Sequence, residues 1–383
     1  MSESSSNTLS SPLCSTEDMV QAIATERHSL DIPPEIYEEI IDYLWDNKDA
    51  LVACSFCRPL YLRTRVHLFH SIELKHTPNG EPFSKSVLPC IKKITIHPGS
   101  DILSVTPLLS SLPNLTALRL DALEFPDPWS LHQFVCQLRE LTSLDLSRIR
   151  FRRDILVELG SLAGSFPKIN KITVCGTSLH ASVVGFLIHR RALRAVYVDS
   201  LRELCIKYPA GECMSCICTF VRAASRSLKS LEIRIRATEM SSWPAQLDVL
   251  PLTMPVLLIE MNYKYFGSHD EVMRWLLDSL TGADGPIKVE TLTLVVVPPL
   301  YFNEYVIEGN DRRWARMWLR LDEILTGPDM KVFRRLKVTT ICPPSDRIYW
   351  EGSHFTEWVR GKLPLVNERN MLDMDTIVED ISW

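Results

Sequence analysis

Nine times between Ile91 and Val338 the chain spaces three apolar residues as i, i+3, i+5. The sets are Ile91/Ile94/Ile96, Leu115/Leu118/Leu120, Leu141/Leu144/Leu146, Ile169/Ile172/Val174, Leu193/Val196/Val198, Leu228/Leu231/Ile233, Val256/Ile259/Met261, Val289/Leu292/Leu294 and Phe333/Leu336/Val338. Their starts lie 24, 26, 28, 24, 35, 28, 33 and 44 residues apart. The closing alternation of each set is that of a short, half-buried strand. Several intervals carry a helical pattern, as in 130–138 and 182–188. One strand and one helix cannot bury their own apolar face, but stacked neighbours make a continuous core. The expectation is an α/β solenoid with a parallel inner sheet over residues 76–383.

A different organisation precedes it. Residues 30–75 read as three short helices. Asp31 is a candidate N-cap, and Pro33 and Pro34 sit where a first helical turn lacks N–H partners anyway. Ile36, Ile40 and Leu44 recur at i, i+4, i+8, with Tyr37 and Ile41 beside them and Glu35, Glu38, Glu39 and Asp42 opposite. Asp46 to Asp49 form a turn. Leu51, Val52, Ser55 and Phe56 mark the second helix, and Leu60, Leu62, Val66 and Phe69 the third. So small a unit is marginal alone and implies something that it packs against.

The residues of this stretch resemble an F-box, the motif that docks substrate receptors onto the Skp-type adaptor of SCF ubiquitin ligases. The resemblance is carried by Ile32-Pro33-Pro34-Glu35-Ile36, Ile40-Ile41, Leu44, Leu51, Cys57-Arg58 and Arg65-Val66-His67-Leu68-Phe69. Pro59-Leu60 stands where the family usually has a tryptophan. The resemblance implies an adaptor-binding face of Pro33, Pro34, Ile36, Ile40, Ile41, Leu44, Leu51 and Val52. Residues 90–374 resemble the irregular leucine-rich-repeat half of F-box proteins common in mushroom-forming fungi, the first four intervals lying in the leucine-rich range of about 20–29 residues. Where that repeat expects Asn or Cys, this chain has Gly99, Leu123, Ile149, Thr177, Leu201 and Arg236, so its usual side-chain ladder is missing. Residues 363–374 are similar to the closing segment of such chains and read as a terminal cap.

Charge narrows the function classes. Net charge is −5, with 6 Lys+Arg against 12 Asp+Glu in residues 1–80 and 36 against 35 beyond. This gives no basic stripe for nucleic acid, and no apolar run is long enough to cross a membrane. Residues 1–29 are Ser-rich, lack a secretory pattern and read as disordered. The 11 cysteines are then expected as reduced thiols in a cytoplasmic or nuclear protein.

Cys205, Cys213, Cys216 and Cys218 are the only cluster suggesting a metal, but no second ligand pair lies near, and buried thiols on a helix are the plainer reading. Cys54 and Cys57 fall inside the second helix. There is no H-E-x-x-H, G-x-S-x-G or phosphate-binding glycine loop, so no catalytic residue, cofactor or metal is assigned. Residues 311–325 read as an amphipathic helix, with Trp314, Trp318, Leu321 and Leu325 on one face.

The resemblance implies a non-enzymatic substrate receptor, bound to the Skp-type adaptor and through it to cullin, holding an unidentified target on the repeats. The alternative is a repeat scaffold with no role in ubiquitination. Interrupted spacing near Trp243, Tyr301, Tyr305, Arg312 and Arg316 makes these the candidate target-binding residues, aromatic and arginine side chains being common hot spots.

Overall fold

The computed structural model describes residues 33–57, 60–75, 83–99, 102–152, 167–176, 200–209, 214–236, 250–262, 269–282, 287–297, 304–342 and 352–378. The chain divides into two compact units, with the boundary between Leu68 and Phe69.

The first unit contains α1 (Pro34–Tyr43), α2 (Lys48–Cys54) and α3 (Tyr61–Leu68). Pro34 opens α1, and Pro33 takes the N-cap position. Asn47 caps α2, its Oδ1 accepting the Ala50 N–H at 3.0 Å. Asp42 ties α1 to α3: its carboxylate accepts Arg63 Nε at 2.7 Å and Nη2 at 2.5 Å, and meets His67 Nε2 at 2.7 Å. The Arg63 hydrogen bonds, with that of His67, hold the Asp42 carboxyl far below the usual carboxylate range. Ile41, Leu51 and Thr64 are fully buried, one from each helix.

The second unit is a leucine-rich-repeat-like α/β solenoid. Among the described residues, eleven strands form one parallel sheet in near-sequential order. They are β1 (Ser71–Leu74), β2 (Lys93–Ile96), β3 (Ala117–Asp121), β5 (Ser143–Ser147), β7 (Lys171–Cys175), β8 (Glu203–Lys207), β9 (Ser230–Arg236), β10 (Val256–Asn262), β11 (Thr291–Val297), β12 (Arg335–Cys342) and β13 (Leu372–Val378). The short β4 (Glu124–Phe125) and β6 (Arg150–Phe151) pair separately. Between strands run α4 (Ile102–Ser110), α5 (Pro128–Cys136), α6 (Met214–Ala223), α7 (His269–Thr281), α8 (Glu304–Leu325), α9 (Gly352–Lys362) and α10 (Pro364–Glu368).

The register lines Ile94, Leu118, Leu144, Ile172, Leu204, Leu231, Leu257, Leu292 and Leu336 across the sheet. All are buried in one core with side chains from α5 to α9, including Phe134, Phe220, Trp275, Trp318 and Phe355. Trp318, Leu321 and Leu325 bury the amphipathic face of α8, while Trp314 stacks on Trp358 with centroids 5.6 Å apart.

Two strand assignments move. The strand beside β7 is β8, built on Leu201/Leu204/Ile206, which has the same i, i+3, i+5 spacing as Leu193/Val196/Val198. The latter residues lie outside the described residues. In β10 the buried set is Met254/Leu257/Ile259, and Val256 is exposed, because Leu257 is the residue opposite Leu231. The solenoid also starts earlier than its pattern suggested: Phe69, Ile72 and Leu74 make a first rung.

Backbone bonds replace the missing side-chain ladder. At the strand starts, two successive N–H groups share one carbonyl of the previous rung: Thr116 and Ala117 on Lys92, Thr142 and Ser143 on Thr116, Asn170 and Lys171 on Thr142. Val256 donates alone to Lys229, because its predecessor Pro255 has no N–H. At the strand ends, Ala122, Arg148, Gly176 and Tyr208 all take positive φ. Their N–H groups donate to Ser147, Cys175, Lys207 and Arg234 of the next rung at 2.7–3.1 Å. The turns therefore need no Asn, and apolar Leu123 and Ile149 are buried there instead.

Candidate protein-interaction surfaces

The first unit keeps many large apolar side chains on its surface. Ile36, Ile40, Tyr43, Trp45, Val52, Phe56, Tyr61 and Leu62 are 43–86% exposed. Ile36, Ile40 and Tyr43 share one face of α1 by their i, i+4, i+7 spacing. Val52 and Phe56 are four residues apart at the end of α2. The Arg65 guanidinium lies 5.1 Å from the Tyr61 ring centre.

Of the residues expected on the adaptor face, Pro33, Ile36, Ile40 and Val52 are exposed and Leu44 is half-buried. Pro34 opens α1. Ile41 and Leu51 turn inward, because three short helices need every inward position for their own packing. Tyr43, Trp45, Phe56, Tyr61 and Leu62 are exposed as well, although none of them was among the residues expected on that face.

The second unit presents a polar sheet face. Alternation along each strand puts Thr95, Arg119, Asp145, Thr173, Cys205, Glu232, Leu258, Thr293, Lys337 and Asp373 in one row, opposite the core. Charges there pair between strands. Arg148 binds Asp121 through two nitrogens at 3.0 and 2.7 Å, and His97 approaches the same carboxylate from the other side at 3.9 Å. Burial is the largest influence on the Asp121 carboxyl and raises its pKa, but the hydrogen bonds and charge of Arg148, together with the Ser147 hydrogen bond and the charge of Arg119, leave the group below its ordinary value. Arg234 bridges Glu232 and Glu260, the latter at 3.0 Å. Lys171 meets Glu203 at 2.8 Å, and Arg335 meets Asp373 at 2.6 Å.

Of the candidate target-binding residues, Trp243 and Tyr301 lie outside the described residues. Tyr305 falls within α8. Arg312 and Arg316 are exposed on that helix, where Arg316 Nε donates to the Arg312 carbonyl at 2.8 Å. They belong to the helical layer, away from the polar sheet face.

Cys205 and Cys218 occupy opposite sides of the sheet. Cys205 lies in the polar row, where burial pushes its thiol up to about 12, whereas Cys218 packs into the core from α6. Among the described residues, no group of three or more His, Cys, Asp or Glu is placed to hold a metal. A cavity of about 730 Å³ between α4, β4 and α5 is lined by Phe125, Phe134, Gln133, Gln137 and Arg152, among others. No helix among the described residues is long and apolar enough to cross a membrane.

No family model matches the chain, and no curated protein matches it in sequence. In fold it is similar to a chain in the crystal structure of the yeast Rad7–Elc1 complex, with 14% identity and a TM-score of 0.36, over 96% of this chain and 94% of that one. The two superpose loosely, and the functional reading rests on this chain's own residues.

Proposed function

We propose that this chain is the substrate-recognition subunit of an SCF-type ubiquitin ligase. The observation that carries this reading is the exposed apolar surface of the three-helix unit. Elsewhere among the described residues, large exposed apolar side chains are few and scattered: Val256, Leu319, Val332, Leu365 and Ile377. Eight such residues within 36–62 are a surface in want of a partner. The F-box resemblance of the same stretch names the partner as a Skp-type adaptor, with cullin reached through it. The solenoid would hold a target protein, and the chain would supply proximity and orientation while transfer chemistry belongs to other subunits. This role places the protein in cytoplasm or nucleus.

Reconstitution tests the reading. The full chain, mixed with a Skp-type adaptor and cullin, is expected to elute as one stoichiometric complex in gel filtration and to lose it when the adaptor is omitted. Elution of chain and adaptor as separate species would leave the repeat-scaffold reading instead.

A further inference from the structure

The sheet stops at β13 with an edge built for one more strand. Among the described residues nothing pairs beyond it. Its register on β12 places Leu336 opposite Leu372, and the Leu336 N–H donates to the Met371 carbonyl at 2.8 Å. In a parallel ladder this turns the N–H of Asp373 and Asp375 towards β12. The N–H and C=O groups of Leu372, Met374 and Thr376 then point away from it, as a row of unused donors and acceptors.

The side chains along this edge specify what fits. Leu372 and Met374 are only partly buried, on the core side, and Asp373, Asp375 and Ile377 stand on the polar side. Asp373 already holds Arg335 at 2.6 Å and Asp375 approaches Lys337 at 3.7 Å, so the ladder runs basic on β12 and acidic on β13. Each carboxylate retains acceptor capacity towards the open side. The same sheet shows a carboxylate approached by side chains from both neighbouring strands, as Asp121 is by the His97 ring and the Arg148 guanidinium.

We propose that β13 receives an extended segment of a partner protein, added as a twelfth strand, in which apolar residues alternate with lysine or arginine. Backbone hydrogen bonds to Leu372, Met374 and Thr376 supply attachment, and Asp373 and Asp375 select the basic positions. The apolar positions cover Leu372 and Met374. This surface is independent of adaptor docking.

The test uses the full chain and two labelled seven-residue peptides, one alternating valine with lysine and one alternating valine with glutamate. Anisotropy titrations are expected to show the lysine peptide binding roughly tenfold or more tighter, the sum of two cross-strand charge pairs. Asp373→Lys with Asp375→Lys should invert that preference. Thr376→Pro removes one outward N–H and leaves the β12 pairing intact, since proline is tolerated on an edge. It should abolish binding with an unchanged melting curve. Hydrogen exchange should show the peptide slowing the amides of Leu372, Met374 and Thr376. Equal binding of both peptides, no slowing of those amides, or concentration-dependent self-association that excludes the peptide would each overturn the proposal.

Discussion

The carboxylate of Asp322, on α8, accepts a 2.8 Å hydrogen bond from the backbone N–H of Val366, the third residue of α10. Its other oxygen accepts the Leu365 N–H at 2.9 Å. The N-cap of α10 is Leu363, which has no side chain able to do this, so a helix 43 residues upstream supplies the cap. The Arg369 guanidinium adds a bond to the Thr326 carbonyl at 3.0 Å. These contacts fasten the closing segment, with Leu363 and Val366 fully buried, over the last helices of the solenoid.

Asp322→Ala leaves two N–H groups without their acceptor at a buried site. The expected cost is about 2–3 kcal/mol, read from urea unfolding of the full chain. Asp322→Asn, which keeps an acceptor oxygen, should recover part of it. Unfolding midpoints equal to the parent in both variants would show that the cap is fastened by other contacts.

Leu144 sits inside the core row, between Leu118 and Ile172. Leu144→Ala should cost about 2–5 kcal/mol, and Leu144→Asp more, because it buries an unpaired charge. A Leu144→Asp chain melting like the parent would contradict the register.

The left-handed turn residues give a paired test. At Ala122, φ is 49°, where a side chain costs about 1 kcal/mol relative to glycine, so Ala122→Gly should stabilise modestly. Gly176 has φ of 121°, and an added Cβ would stand 3.3 Å from the Arg148 side chain. Gly176→Ala should therefore lower Tm. Opposite signs in differential scanning calorimetry are the expected result, and equal shifts would count against a turn ladder set by backbone conformation.

His132 gives the second unit a pH dependence. It is fully buried on α5 and stacks on Trp129, and burial pushes its pKa down to about 4. The folded value lies below the unfolded one, so the unfolded chain binds the proton first. The stability contribution is complete above about pH 6.5 and declines as pH falls towards 4, by about 3 kcal/mol across that window. Chemical unfolding between pH 7 and 4.5 should show this slope, and His132→Gln should flatten it. An identical slope in the variant would assign the effect to other groups.

Much of the solenoid was legible because each strand must bury alternate residues, and Leu118, Leu144, Ile172 and Leu231 could be placed from spacing alone. The same spacing failed where two sets competed. Leu193/Val196/Val198 and Leu201/Leu204/Ile206 fit equally, and only pairing with β7 distinguishes them. The polar face was illegible for a related reason: Asp121 and Arg148, or Arg335 and Asp373, are far apart in sequence and meet only through register. In the three-helix unit, periodicity found apolar helices but not their outward side. Ile40 and Ile41 are adjacent in sequence, yet the first is exposed and the second buried.

The most direct test is the affinity of the full chain for a purified Skp-type adaptor, measured by isothermal titration calorimetry. Ile36, Ile40 and Val52 are exposed, so replacing them need not disturb the packing of Ile41 and Leu51. Ile36→Ala with Ile40→Ala and Val52→Ala should weaken binding by at least about tenfold, since buried interface anchors each cost on the order of 2 kcal/mol. The melting curve of the variant should match the parent. Parent binding that the triple substitution leaves unchanged, or no binding by the parent at all, would contradict adaptor docking through this surface.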